Sequence, residues 1–83
     1  MISVIIPHFN QPALLARCLA ALAPQAAAQG AEIIVVDNGS REMPQAVGDQ
    51  FSGVRLTREA TPGPGPARNH GVGLARGNIL AFI

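Results

Sequence analysis

Three short segments carry side chains that could do chemistry, and each of them follows an apolar or alternating run. They are Pro7–Asn10, Asp37–Ser40 and the Gly/Pro loop that leads to Arg68. Carboxylates and amides placed after strands can hold ribose hydroxyls and base edges, and an arginine can hold phosphates. The sequence shows no metal-ligand pair, no nucleophile beside a base and no close pair of carboxylates. These residue types therefore predict binding of a nucleotide rather than a catalytic centre.

Asp37 directly follows an unbroken apolar run, Ile33–Val36. Such a run is typical of a strand that helices cover on both faces. In open parallel sheets the carboxyl end of such a strand faces the crevice that binds ligands, where Asp37 could accept hydrogen bonds. The alternative is a turn residue, because Asp37–Ser40 is rich in turn formers. The sequence alone leaves both interpretations open.

The loop after the first apolar run lies beside Asp37 if the first two strands are neighbours. Phe9 could then flank a planar ring, and Asn10 could either bind a ligand or cap the following helix. A lone histidine more often makes structural hydrogen bonds than takes part in catalysis, so we interpret His8 and His70 in that way first.

The Gly/Pro loop Thr61–Pro66 lies between a predicted strand and a predicted helix. Free backbone amides and the positive end of the helix dipole would face the same crevice, and Arg68 in the first helical turn could bind a phosphate. The alternative is an ordinary helix start with an exposed arginine. A dinucleotide fingerprint is excluded, because Gly63 and Gly65 match G-x-G-x-x-G but Arg68 stands at the third glycine.

These segments are positioned by an alternation of strand and helix patterns. The patterns predict strands at 3–6, 32–36, 54–58 and 79–83, and helices at 12–24, 40–50 and 66–76. We expect Pro24 to end the first helix and Gly77 to cap the third, and Gly71 and Gly73 to mark close helix packing. This order predicts an α/β fold with a mostly parallel sheet and helices on both faces.

Length and composition set limits on these interpretations. Eighty-three residues make one small domain, 1–83, and 48% hydrophobic residues argue against disorder. The net charge is +1 without a basic run, and three phenylalanines are the only aromatic residues, so no nucleic-acid partner is expected. The single cysteine, Cys18, is interpreted as a core residue and fits a reducing, cytoplasmic setting. The apolar start 1–6 resembles a strand rather than a signal peptide.

Three motifs also stand in a recognisable order along the chain. They are SVIIPHFN at 3–10, IVVDNGS at 34–40, and ARNHG at 67–71 leading to GNILAFI at 77–83. Over essentially the whole chain they resemble the N-terminal half of the family 2 glycosyltransferases, which have the GT-A fold. The resemblance implies a Rossmann-like half of a GT-A domain with strand order 3-2-1-4. It also implies an enzyme that transfers a sugar from a nucleotide-sugar to an acceptor hydroxyl.

The resemblance implies roles for particular residues as well. A UDP-, GDP- or TDP-sugar would have its nucleoside bound by Pro7, His8, Phe9, Asn10, Asp37 and Asn38, and Arg68 would lie near its phosphates. The family commonly has Thr-Tyr or Ser-Tyr where this chain has His8-Phe9, and often a second Asp in place of Asn38.

In that family an Asp-x-Asp motif follows the strand that matches 79–83 and binds a divalent metal, Mg²⁺ or Mn²⁺. A catalytic base comes later still. We therefore expect this chain to be a truncated nucleotide-sugar-binding subdomain with no catalytic or metal residue, inactive by itself. Strand 79–83 would be an open edge that could self-associate.

Three further expectations complete this interpretation. The full-length protein could be associated with a membrane. The alternative function is a non-catalytic remnant of the same fold, which only binds nucleotide or packs in an assembly. A flavodoxin-like or Rossmann module would need a Gly-rich or hydroxyl-rich loop after the first strand, and Pro7–Asn10 is neither.

Overall fold

One parallel sheet of four strands organises the chain, and the computed structural model describes all 83 residues. The sheet has the order β3-β2-β1-β4. The predicted α/β alternation and strand order are therefore confirmed. The elements in chain order are β1 (Ile2–His8), α1 (Pro12–Gln29), β2 (Glu32–Asp37), α2 (Gln45–Asp49), β3 (Val54–Arg58), α3 (Pro64–Leu74) and β4 (Ile79–Phe82).

The central strand β2 is buried on both faces. Ile33 and Val35 belong to a core that includes the buried face of α1, whereas Ile34 and Val36 belong to a second core with α3. Successive side chains of a strand point to opposite faces, so two covered faces require an apolar residue at every position. Cys18 is partly buried beside the first core, as expected of a small apolar residue.

Helix α1 is longer than the sequence predicted. It continues through Pro24 to Gln29, so the expectation that Pro24 ends it was wrong. A proline inside a helix loses one backbone hydrogen bond, but the following alanines are strong helix formers, and Ala26 is buried against the sheet. The helix ends instead at Gly30, whose φ of 66° places it in the left-handed region and whose N–H donates to Ala26 and Ala27 carbonyls.

The other two helices also depart from the prediction. Helix α2 has only five residues, and Ser40 lies outside it. Helix α3 begins at Pro64 rather than Pro66 and ends at Leu74, so Ala75 and not Gly77 is its C-cap residue.

The close packing expected at Gly71 is confirmed, because an added Cβ would lie 2.5 Å from Cγ2 of Ile5. At Gly73 the expectation was wrong, because no atom lies within 4 Å of the corresponding position.

A polar cluster around Glu32 joins the amino ends of the strands. The buried Ser3 hydroxyl donates to Oε2 of Glu32 at 2.6 Å, and the Arg55 guanidinium donates to Oε1 at 3.2 Å. The backbone N–H of Arg76 donates to the same carboxylate, and that of Gly77 donates to Ser3 Oγ at 2.9 Å. Burial raises the pKa of Glu32, but these hydrogen bonds outweigh it and lower the pKa to about 2.

Candidate functional site

The carboxyl ends of β1 and β2 bring the first two polar segments together. His8 and Asp37 are register partners in the parallel ladder, and the Asn38 N–H donates to the His8 carbonyl at 2.8 Å. The segment Pro7–Asn10 and Asp37 therefore lie side by side, as the sequence predicted if the first two strands are neighbours.

Asp37 faces the protein interior and is fully buried. Its Oδ1 lies 2.9 Å from Nδ1 of His8 and accepts the Ser40 hydroxyl at 2.6 Å, while Oδ2 accepts the Ser40 N–H at 3.0 Å. Burial raises the pKa of Asp37, but the hydrogen bonds from Ser40 and His8 outweigh it and hold the pKa below its usual value. The buried carboxylate thus holds His8 and Ser40 in place. A direct contact between Asp37 and a nucleoside stays a prediction.

His8 is also buried, with 7% of its surface exposed. One ring nitrogen lies against Asp37, and the other, Nε2, accepts the backbone N–H of Gln11 at 3.1 Å. The preference for a structural histidine therefore agrees with the geometry. His70 likewise contacts protein atoms, with Thr57 Oγ1 and Glu59 Oε1 each at 3.1 Å from its ring nitrogens.

Asn38 ties the loop between β3 and α3 to the end of β2. Its Nδ2 donates to the carbonyls of Glu59 and Thr61 at 3.0 and 2.8 Å. Its Oδ1 accepts the Gly63 N–H at 2.9 Å. Gly63 has a φ of 114°, which favours glycine at this point of attachment. The amide therefore uses both of its ends to hold one wall of the site.

Asn10 ties the first loop to the second. Its Oδ1 accepts the Arg41 N–H at 2.9 Å, and its own N–H donates to Ser40 Oγ at 2.8 Å. Its φ of 50° is a left-handed conformation that asparagine adopts more readily than most residues. The alternative that Asn10 caps α1 was wrong, because the N-cap position belongs to Gln11, which makes no side-chain cap bond.

An open cavity of about 390 Å³ lies between the segment after β1 and the loop between β3 and α3. Phe9 lines this cavity and is 57% exposed. Among the predicted site residues the structure brings Pro7, His8, Phe9 and Asn38 to this cavity, but not Asn10, Asp37 or Arg68. The remaining wall consists of Pro62, Gly63 and Pro64. Pro62 was not named as a site residue, although it lies within the Gly/Pro loop that the sequence predicted at 61–66.

The start of α3 offers fewer amides than expected. Pro64 and Pro66 have no N–H, and the Ala67 N–H already donates to the Gly63 carbonyl at 3.4 Å. Gly65 is therefore the only donor among the first three helical residues, and the expectation of several free amides was wrong. Arg68 is exposed and lies in the second turn of α3 rather than the first.

Arg58, which the sequence did not single out, ends β3 and donates to the Ser40 carbonyl at 3.3 Å. No group of three or more His, Cys, Asp and Glu side chains is close enough to hold a metal ion. No helix combines the length and apolarity needed to cross a membrane.

The sequence of the chain is similar to those of known glycosyltransferases. The sequence is 35% identical to glycosyltransferase AglE of Haloferax volcanii, over 99% of this chain and 29% of that protein. It is 36% identical to a PGL/p-HBAD biosynthesis glycosyltransferase of Mycobacterium tuberculosis, over 100% of this chain and 34% of that protein. The chain therefore spans about a third of these relatives.

Solved structures are similar over the same fraction of their length. Glucosyl-3-phosphoglycerate synthase of Mycobacterium tuberculosis, crystallised with Mn²⁺, UDP-glucose and phosphoglyceric acid, superposes with a TM-score of 0.83 at 25% identity. That match covers 100% of this chain and 32% of the synthase. TarS of S. aureus shares the fold, with a TM-score of 0.70 at 22% identity over 99% of this chain and 26% of TarS. The model of glycosyl transferase family 2 matches residues 3–83, and this chain belongs to that family.

Proposed function

We propose that this chain forms the donor-binding part of a glycosyltransferase, which transfers a sugar from a nucleotide-sugar to an acceptor hydroxyl. The observation that carries the proposal is the cavity beside Phe9 at the carboxyl ends of the parallel strands. Open parallel sheets bind nucleotides at that end. UDP and UDP-glucose occur in the crystals of the similar synthase, and they make uridine diphosphate the first ligand to test.

In the proposed complex the base stacks on Phe9, between Pro7 and the wall that Asn38 holds. Stacking on an exposed ring is worth about 1–3 kcal/mol per base. Arg68 reaches the diphosphate from the second turn of α3, and Asn10 contributes by holding the first loop. Asp37 contacts the nucleoside only if Ser40 or His8 releases it, since both of its oxygens accept hydrogen bonds.

Mn²⁺ accompanies UDP in some of the synthase crystals, and we propose Mg²⁺ or Mn²⁺ for a full-length enzyme of this family. Such an ion would neutralise the diphosphate leaving group. The residues of this chain do not fit it, because Asp37 is engaged by His8 and Ser40 and no carboxylate cluster exists. We also propose a cytoplasmic setting, which the single cysteine supports.

Titration of UDP into the ¹⁵N- and ¹³C-labelled chain, followed by NMR, tests the proposal. We expect shifts at Phe9, Asn38 and Gly63 with a dissociation constant of about 1 mM or weaker, because no metal holds the diphosphate. Phe9→Leu should weaken the shifts, whereas Phe82→Leu, a change at a similarly exposed ring on β4, should not. Shifts that avoid Phe9, or equal effects of the two variants, would contradict the proposal.

We also propose that β4 joins two copies of the chain. Its pairing with β1 uses one edge, and its other edge has no partner strand. Large apolar side chains at this end of the chain are exposed, including Ile79 at 58% and Phe82 at 48%. An unpaired edge of this kind is a template for pairing with another strand.

A further inference from the structure

We propose that His8 is a positioning residue for the donor-facing loop, through an imidazole that is protonated at Nδ1 and unprotonated at Nε2. The ring joins the Asp37 carboxylate on one side to the backbone of Gln11 on the other. It thereby fixes the residues between them, including Phe9. The importance of this loop for ligands rests on the donor-binding function proposed above, but its conformation does not.

The partners of the two ring nitrogens determine where the proton lies. A backbone N–H can only donate, so Nε2 of His8 must present its lone pair to Gln11 at 3.1 Å. An ionised carboxylate can only accept, so Nδ1 must carry the hydrogen that it shares with Asp37 at 2.9 Å. One neutral tautomer satisfies both contacts, and the other satisfies neither.

Ser40 completes the same pattern of donors and acceptors. Its hydroxyl hydrogen goes to Asp37 Oδ1 at 2.6 Å, which leaves a lone pair of Oγ for the Asn10 N–H at 2.8 Å. Phe9 is therefore held on both sides, by His8 before it and by Asn10 after it. Both attachments lead to the same buried carboxylate, so the position of the exposed Phe9 ring depends on Asp37.

Loss of one contact at a time separates this role from simple core filling. In His8→Asn the side-chain amide can replace the Nδ1–H donor to Asp37, but no acceptor reaches Gln11. In His8→Gln the amide lies near the Nε2 position and can accept from Gln11, but the short contact to Asp37 is lost. In His8→Ala both contacts are lost.

The test uses NMR on the labelled 83-residue chain. A long-range ¹H–¹⁵N correlation of the His8 ring at neutral pH should show the Nδ1–H tautomer. Hydrogen exchange of the Gln11 amide should be about tenfold or more faster in His8→Asn and His8→Ala than in His8→Gln, because its acceptor is missing. His70→Asn, a change at the other histidine, should leave the exchange of Gln11 unchanged.

A ring protonated at Nε2, or a Gln11 amide that exchanges equally in all His8 variants, would overturn the inference. If a variant does not fold, the tautomer of the unmodified chain still decides. UDP is then titrated into the folded variants, and we expect Phe9 to show weaker shifts in His8→Asn and His8→Ala. If UDP does not bind the unmodified chain, the proposed function fails, but the tautomer and the exchange rates still decide the role of His8.

Discussion

Polar side chains at the carboxyl ends of β1 and β2 mostly bind the protein itself. Asn38 uses both ends of its amide on the loop 59–63, and Asp37 is occupied by His8 and Ser40. The cavity proposed for the donor is therefore lined mainly by the Phe9 ring and proline faces, and Arg68 is exposed outside that lining. Such a surface holds a planar base by contact area more than by hydrogen bonds.

Replacement of Asn38 by Asp should loosen the wall of the cavity. The carboxylate keeps the acceptor for Gly63 but loses the donors to the Glu59 and Thr61 carbonyls, and it places a negative charge against both of them. We expect the free energy of unfolding to fall by about 1–3 kcal/mol in urea denaturation. Asn69→Asp, at an exposed position on α3, should change it little. Equal stability of Asn38→Asp and the unmodified chain would show that the bonds to the Glu59 and Thr61 carbonyls do not stabilise the fold.

Because of Glu32, the free energy of unfolding should decrease as the pH is lowered. Its pKa of about 2 in the folded chain lies below the ordinary 4.5, so its ionised form stabilises the fold above pH 4.5. That contribution is lost as the pH falls from 4.5 towards 2. Glu32→Gln should lower stability at pH 7 by about 1–3 kcal/mol and make the decline below pH 4.5 shallower.

Urea denaturation at a series of pH values measures both effects of the Glu32 change. The exposed Glu42→Gln serves as the control and should reproduce the acid dependence of the unmodified chain. If the curves for Glu32→Gln and the unmodified chain run parallel below pH 4.5, the cluster around Glu32 does not carry the dependence.

At the residue scale the sequence predicted where polar groups collect but not which way they face. Asp37 follows a strand whose burial on both faces is readable from Ile33–Val36, so its position at the sheet end could be predicted. Its inward orientation depends on pairing with His8 across the ladder and on a turn that returns Ser40 to it. The His8 contact joins residues 29 positions apart, and no local pattern reports it. Ser40 lies only three positions from Asp37, inside the segment of turn formers, so that contact agrees with the alternative that Asp37 is a turn residue.

At the scale of elements, two glycines of α3 make a matched pair. An added methyl group at Gly71 would lie 2.5 Å from Ile5 Cγ2, whereas at Gly73 it would meet open space. Gly71→Ala should therefore destabilise the chain by about 1–3 kcal/mol through overpacking. Gly73→Ala should stabilise it by up to about 1 kcal/mol, because alanine favours the helix.

Thermal and urea unfolding of the two variants provide the comparison. A stabilised Gly71→Ala protein would mean that α3 can move away from β1 without cost. A destabilised Gly73→Ala protein would mean that the helix end is more crowded than its contacts indicate.

Strands were predicted more accurately than helix ends, for a physical reason. Burial on both faces requires apolar residues in the middle of each strand, at Val4–Ile6 of β1 and Ile33–Val36 of β2, and that requirement is visible in the sequence. Helix ends depend on competition between local preference and packing. At Pro24 packing prevailed, since Ala26 is buried against the sheet beyond it.

At the scale of the whole molecule, the chain by itself should not transfer sugar. Its residues form no metal site, and the leaving diphosphate has no cation to neutralise it. UDP release from UDP-glucose with added Mn²⁺ or Mg²⁺ should equal the rate without protein. A known amount of UDP added to the assay shows that release would be detected. Turnover above that background would refute the expectation.

Association through β4 should depend on concentration. Light scattering should show a mass that rises above that of the 8.6 kDa chain as concentration increases. Leu80→Lys places a charge on the exposed strand and should restore the monomer. Val72→Lys, at a similarly exposed apolar position on α3, should not. A monomer at all concentrations, or equal effects of both variants, would rule out this edge.

The strand order also determines when each strand can pair with its neighbours during synthesis on the ribosome. β1 is made first, but its neighbour β4 begins at residue 79, and the Asn78 N–H bonds the carbonyl of Met1. At about 5–20 residues per second, the earliest strand spends several seconds with one side unprotected. β2 and β3 can cover the other side sooner, because they precede β4 in the chain. The nascent chain is therefore most exposed to capture by chaperones or by neighbouring nascent chains along β1, until β4 emerges.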